Sequence, residues 1–162
     1  MGPLLRSVGQ IPVDRGGAAR GAIPLSAAKR LITEGQGVIV YPEGSLTRDP
    51  DLWPMRGKTG AARLALQLGL PVIPAAHWGT QALMPVNTTK LRLSPRARIE
   101  VVFGDPVDLS DLGNRTDRAT LQAATDRIMA AVTALLEELR GETAPRERWD
   151  PTAHGQTETG VF

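Results

Sequence analysis

Gly37-Val38-Ile39-Val40-Tyr41-Pro42-Glu43-Gly44-Ser45-Leu46-Thr47-Arg48-Asp49-Pro50 is the stretch on which the fold turns. Residues 38–41 are short, β-branched and apolar, which predicts a parallel strand covered on both faces. Pro42 limits the backbone before Glu43, and Gly44 permits a tight turn and close approach of a ligand. The turn thus delivers one carboxylate, Glu43, to the C-terminal end of a strand, where ligands of open α/β sheets bind. That carboxylate can accept hydrogen bonds from polyol hydroxyls, act as a base if burial raises its pKa, or simply brace the loop. Arg48 and Asp49 are either a phosphate ligand with its orienter or solvated charges.

Working outward, residues 26–34 read as a helix capped by Ser26, with Ala27, Ala28, Leu31 and Ile32 inward and Gly35 and Gly37 ending it. On the other side, 49–57 is a polar loop with Trp53 and Pro54, and 59–68 is a helix terminated by Gly69. Residues 70–76 form a second apolar strand, broken by Pro71 and Pro74. After an irregular stretch over 78–94, a third strand spans 98–103, with Ile99, Val101 and Phe103 on one face and Glu100 and Val102 on the other. The longest helix covers 116–140, where Leu121, Ala124, Ile128, Val132, Leu135 and Leu139 recur every three or four residues. Nearer the N-terminus, 3–8 reads as the end of a helix, 10–13 as a short extended piece and 15–21 as a mobile Gly/Ala-rich loop. Residues 1–140 therefore form one α/β domain with a mixed sheet and flanking helices. Residues 141–162, polar and aperiodic with Pro145 and Pro151, are expected to be a disordered tail.

Composition narrows the function. The 162 residues suffice for one domain with a real core. The chain holds no cysteine, so thiolate nucleophiles, disulfides and cysteine metal sites are excluded. His77 and His154 have no metal-ligand spacing, and no metal is expected. No apolar run approaches the ~18–20 residues that span a bilayer. Residues 1–100 carry 13 Lys/Arg against 6 Asp/Glu, and residues 101–162 carry 6 against 11. A basic front half suits an anionic ligand or an anionic membrane surface, or is merely a solvated surface. Nucleic acid is not expected as a partner, because the few aromatic residues are not interleaved with the basic ones. Gly57-Lys58-Thr59 is not a phosphate-binding P-loop, since position 52 is Leu where that motif needs Gly. Lys58 at a helix start still favours an anion. Asp14-Arg15 pairs an aspartate with a guanidinium suited to a phosphomonoester, or forms a surface ion pair.

In order along the chain, these blocks become specific. Gly9-x-Ile11-Pro12-Val13-Asp14-Arg15, Tyr41-Pro42-Glu43-Gly44-Ser45, Lys58-x-Gly60-Ala61 and Val72-Ile73-Pro74 resemble the second, third and fourth blocks of the 1-acylglycerol-3-phosphate and glycerolphosphate acyltransferases. Tyr41 and Ser45 replace the commoner Phe and Thr of the Phe-Pro-Glu-Gly-Thr block, and Leu46-Thr47-Arg48 departs from the usual Arg directly after Thr. The resemblance implies that family's sheet and helices. It also implies transfer of a fatty acyl group from acyl-CoA or acyl carrier protein, with no further cofactor, to a lysophosphatidate-type acceptor. By the same resemblance Arg15 holds the acceptor phosphate, Glu43 and Gly44 position its glycerol unit, Lys58 adds positive charge and Pro74 helps shape the acyl site; Asp14, Ser45 and Arg48 are counted with them as substrate-binding, and whether Arg48 fills the family's arginine role stays open. A place at the cytoplasmic face of the cell membrane, peripheral to it, follows from the lipid acceptor.

The family's first block, a His-x4-Asp base and orienter, is absent from this chain, so no catalytic residue is assigned within it. The expectation is a domain incomplete on its N-terminal side and inactive as it stands. A late start, a genuine non-catalytic relative, or a base supplied by another subunit each explains that. The rival functions are a non-catalytic module binding phosphoglycerolipid or acyl donor, and an α/β enzyme of a soluble phosphorylated metabolite.

Overall fold

The computed structural model describes residues 25–85, 91–92 and 97–157. Its elements in chain order are α1 (Leu25–Thr33), α2 (Gly60–Leu68), β1 (Ala75–Trp78), β2 (Glu100–Phe103) and α3 (Arg118–Arg140). The chain is α/β, with a small open sheet flanked by helices. The pieces expected over 3–8, 10–13 and 15–21 lie outside the described residues, as do the side chains of Ala27 and Leu31. Ser26 falls inside α1, not ahead of it, and Ala28 is fully buried as expected.

β1 and β2 pair antiparallel, with Ala75 opposite Phe103 and Trp78 opposite Glu100. The pairing continues beyond the ladder: Gly104 N–H donates to the Pro74 carbonyl at 3.0 Å and Val107 N–H to the Val72 carbonyl at 2.9 Å. Pro71 and Pro74 have no N–H to give, which is why regular pairing starts only at Ala75. Residues 38–41, expected as a parallel strand covered on both faces, join no ladder among the described residues. Ile39 there is 90% exposed. Apolar, β-branched composition makes such a segment able to pair, but pairing itself needs a neighbouring strand.

α3 organises the interior. Asp117 caps it, accepting from Thr120 N–H at 2.9 Å, and Gly141 ends it in the left-handed conformation. Its first half packs Leu121, Ala124 and Ile128 against Ala62 and Leu66 of α2 and against Leu112. Its second half brings Leu136 against Trp53 and Ala76, with Val102 and Leu139 around them. One helix thus covers one face of the sheet. The opposite face carries Ala75, His77, Val101 and Phe103, all exposed.

Of the expected tail, residues 141–157 are described and make contacts with the rest of the chain. Ala144 N–H donates to Glu137 Oε1 at 2.7 Å, and Arg56 N–H donates to the Trp149 carbonyl at 3.0 Å. Pro151–His154 form a 3-10 turn capped by Asp150, and the Trp149 and His154 rings stack with centroids 3.6 Å apart. Hydrogen bonds, ion pairs and one aromatic stack hold this segment, and none of them leaves a periodic hydrophobic signature. The expected tail residues 158–162 lie outside the described residues. No described helix is long and apolar enough to cross a membrane.

Candidate functional site

The turn anticipated around Glu43 is formed. Gly44 N–H donates to the Tyr41 carbonyl at 3.0 Å, and Gly44 has φ +71°, which glycine adopts without steric cost. The Pro42 carbonyl accepts from Lys58 N–H at 2.8 Å, tying the turn to the start of α2. The Lys58 side chain lies across the turn, with its Cδ 3.4 Å and its Nζ 3.6 Å from where a Cβ on Gly44 would stand.

Glu43 Oε2 accepts from Met55 N–H at 2.9 Å. Burial raises the carboxyl from 4.5 to about 7; the Met55 hydrogen bond opposes the shift, and the Asp49 charge adds to it. Near neutral pH this group is therefore poised between acceptor-only carboxylate and protonated donor.

The loop from Thr47 to Lys58 carries the opposite wall. Thr47 Oγ1 donates to the Trp53 carbonyl at 2.6 Å, and the buried Asp49 accepts from Asp51 N–H at 2.8 Å and Trp53 N–H at 3.3 Å. Gly57 meets α3 directly: a Cβ there would lie 2.7 Å from Met129 Cγ and 3.0 Å from Thr125 Cγ2. That close approach sets Lys58 and Thr59 beside the first turn of α3.

Between these walls is a cavity of about 280 Å³, lined by Glu43, Met55, Arg56, Lys58, Arg118 and Pro151, with Gly57, Thr59 and Gln122 completing it. Three cations, Arg56, Lys58 and Arg118, thus share a small space with one carboxylate of raised pKa. Thr59 makes no side-chain cap on α2, so the first-turn amides of that helix add partial positive charge at the same place. An anion that also carries a hydroxyl matches this arrangement: the anion to the cations, the hydroxyl to Glu43.

Of the residues expected in a site, Glu43, Gly44 and Lys58 come together here. Ser45 and Arg48 do not line the cavity; the Ser45 hydroxyl donates to the Leu46 carbonyl at 3.2 Å. Pro74 is buried at the extended sheet pairing, beside Gly104. Asp14 and Arg15 lie outside the described residues. His77 is exposed, edge-on to Tyr41 at 6.5 Å, and does not line the cavity. No cluster of metal-ligating side chains occurs among the described residues. Arg56, Arg118, Gln122 and Pro151 were not anticipated. Arg56 lies two residues from Lys58 in the same run and was open to notice, whereas Arg118, Gln122 and Pro151 reach the cavity only through packing.

Comparison with known proteins shows what the chain is similar to. The acyltransferase family matches residues 1–78. The 1-acyl-sn-glycerol-3-phosphate acyltransferase of Limnanthes douglasii is 33% identical over 112 residues, 68% of this chain and 38% of that protein. The protein of that name from Streptococcus pneumoniae is 26% identical over 150 residues, 90% of this chain and 50% of that protein. The one from Salmonella typhimurium is 30% identical over 151 residues, 90% of this chain and 56% of that protein. These matches make the chain similar to 1-acyl-sn-glycerol-3-phosphate acyltransferases. The matched region spans 38–56% of these relatives' length. No solved structure matches.

Proposed function

We propose that this chain supplies the acceptor-binding part of an acyltransferase of phospholipid synthesis, acting on a 1-acylglycerol 3-phosphate. The reading rests on one observation above all: a Glu43 carboxyl of raised pKa shares a small cavity with Arg56, Lys58 and Arg118. The cations suit a phosphate, and Glu43 suits a glycerol hydroxyl. Asp14 and Arg15, Ser45, Arg48 and Pro74 enter this reading through the family resemblance alone. In the full reaction the hydroxyl oxygen attacks the thioester carbonyl of acyl-CoA or acyl carrier protein, the C–S bond breaks, and the hydroxyl proton leaves through a base. That base is not among the residues of this chain, whose two histidines have no Asp five positions on. The site of action is the cytoplasmic membrane surface, where such an acceptor resides, with the basic front half facing anionic lipid.

A second reading is a module that binds the acceptor without turning it over, which the cavity of Glu43, Arg56, Lys58 and Arg118 serves equally well. Calorimetric titration with 1-acylglycerol 3-phosphate and with 1-acylglycerol tests both. Saturable binding of the phosphate-bearing lipid alone, lost about tenfold or more in Lys58→Ala, supports the acceptor site. Equal binding of the two lipids rules it out. Incubating the chain with acyl-CoA and acceptor then separates the readings. No acylated product is expected from these residues alone, and addition of a polypeptide carrying the family's His-x4-Asp block restores turnover only if the chain is part of an enzyme.

A further inference from the structure

The segment after α3 has no hydrophobic period, yet it returns to the cavity and is joined to one of its residues twice. The Arg56 N–H donates to the Trp149 carbonyl at 3.0 Å, and Arg56 Nη1 lies 3.2 Å from Asp150 Oδ2. Asp150 is itself held: its Oδ1 accepts from Thr152 N–H at 2.9 Å and from the Thr152 hydroxyl at 2.6 Å. Those bonds keep the carboxyl below the usual range, ahead of the contribution from Arg56. The next residue, Pro151, is buried and forms cavity wall. Farther back, Arg148 lies 3.9 Å from Asp126 of α3.

An ordinary exposed ion pair contributes little, because two long side chains must be ordered to make it. Here one partner is already fixed by its own turn and by the backbone bond beside it. The ordering cost falls only on Arg56, whose side chain is about half exposed and rich in rotamers. A guanidinium held in one orientation at a cavity wall loses less entropy when it meets an anion.

We propose that Asp150 is a positioning residue for acceptor binding: from beside Pro151, which forms cavity wall, it orients Arg56 toward the acceptor's phosphate. This rests on the acceptor reading above. It adds a C-terminal component that the matched blocks around Glu43 and Lys58 do not include.

The test is calorimetry on the whole chain, with 1-acylglycerol 3-phosphate and 1-acylglycerol as probes and a thermal melt for every variant. Asp150→Ser keeps a cap for the 151–154 turn but is too short to reach Arg56. It is expected to weaken the phosphate-bearing lipid about three- to fivefold and to leave 1-acylglycerol unchanged. Asp150→Asn, whose single oxygen is taken by the Thr152 N–H and whose amide NH2 then faces Arg56, is expected to weaken the phosphate-bearing lipid about as much as Asp150→Ser does. Arg56→Ala is expected to lose about tenfold or more, and adding Asp150→Ser to it should cost nothing further, because the two act through one contact. Unchanged or tighter phosphate-lipid binding in Asp150→Ser overturns the proposal, the tighter case because Asp150 would then be competing with the ligand. Equal losses for both lipids, or additive losses in the double variant, also overturn it by reducing Asp150 to a brace. If the original chain binds neither lipid, the acceptor reading falls and this assignment with it. If it binds normally and only the Asp150 results fail, this assignment alone is lost.

Discussion

Glu43 holds a carboxyl where water is partly excluded, and its stability effect has a definite sign. The folded-state pKa, about 7, lies above the ordinary 4.5. Below 4.5 both folded and unfolded chains carry the proton, and nothing is lost. Between 4.5 and 7 only the unfolded chain ionises, so stability falls as pH rises, and above 7 the full cost remains. That cost is up to roughly 3 kcal/mol. Glu43→Gln keeps an oxygen for the Met55 N–H and removes the charge. It is therefore expected to match the original chain in urea denaturation at pH 4 and to exceed it at pH 8. The reverse order would show that the ionised carboxylate is well solvated or paired. Because the Gln variant lacks an ionised acceptor for a hydroxyl, it should bind 1-acylglycerol 3-phosphate more weakly even where it is more stable. Gly57 is the other decisive single position. Its replacement by Ala drives a methyl group toward Met129 and Thr125, both nearly fully buried. A loss of about 1–3 kcal/mol is expected in chemical denaturation. Met129→Ala, which empties the space in front of it, should recover part of that loss when combined.

At the scale of elements, the end of α3 is joined to the loop that carries the site. The Arg140 guanidinium sits between two indole rings, 3.9 Å from the Trp53 centroid and 4.4 Å from that of Trp78. Its Nη1 also donates to the Asp51 carbonyl at 2.8 Å, and its Nη2 pairs with Glu142. One side chain thus connects the helix, the sheet and the 49–57 loop. Arg140→Ala leaves both rings and a carbonyl without their partner, so a loss of roughly 2 kcal/mol or more is expected. Hydrogen exchange should show increased opening of residues 49–57, while the start of α3, capped by Asp117, keeps its protection. Uniform loss of protection along α3 would mean that Arg140 supports the helix itself and not the loop.

For the molecule as a whole, the uneven cover of the sheet is the main physical consequence of this topology. α3 shields the Ala76 and Val102 face, and Phe103 on the other side is 70% exposed, with Val101 57% exposed. Exposed apolar side chains contribute little to folding but bind hydrophobic dyes. Phe103→Ser is therefore expected to change stability by no more than about 0.5 kcal/mol and to reduce dye fluorescence clearly. A large loss of stability would place Phe103 in a packed interface.

The long helix, α2 and the 100–103 strand follow directly from local pattern: spacing at 3.6 or 2 residues, a cap at Asp117 and glycines at 69 and 141. The Glu43 turn was readable for the same reason, since Pro42 and Gly44 act on the backbone at their own positions. The family resemblance likewise grouped Glu43 with Lys58, because the blocks follow one another in order along the chain. Packing decided the rest. Residues 38–41 have strand composition, but pairing depends on a neighbour that composition does not specify. Arg118 and Gln122 come to the cavity only because Gly57 lets the loop meet α3. The segment through Asp150 and Pro151 returns there by hydrogen bonds and an ion pair between residues some ninety positions apart. Contacts of that kind have no period and no local cap, and their energy exists only once the chain has closed on itself.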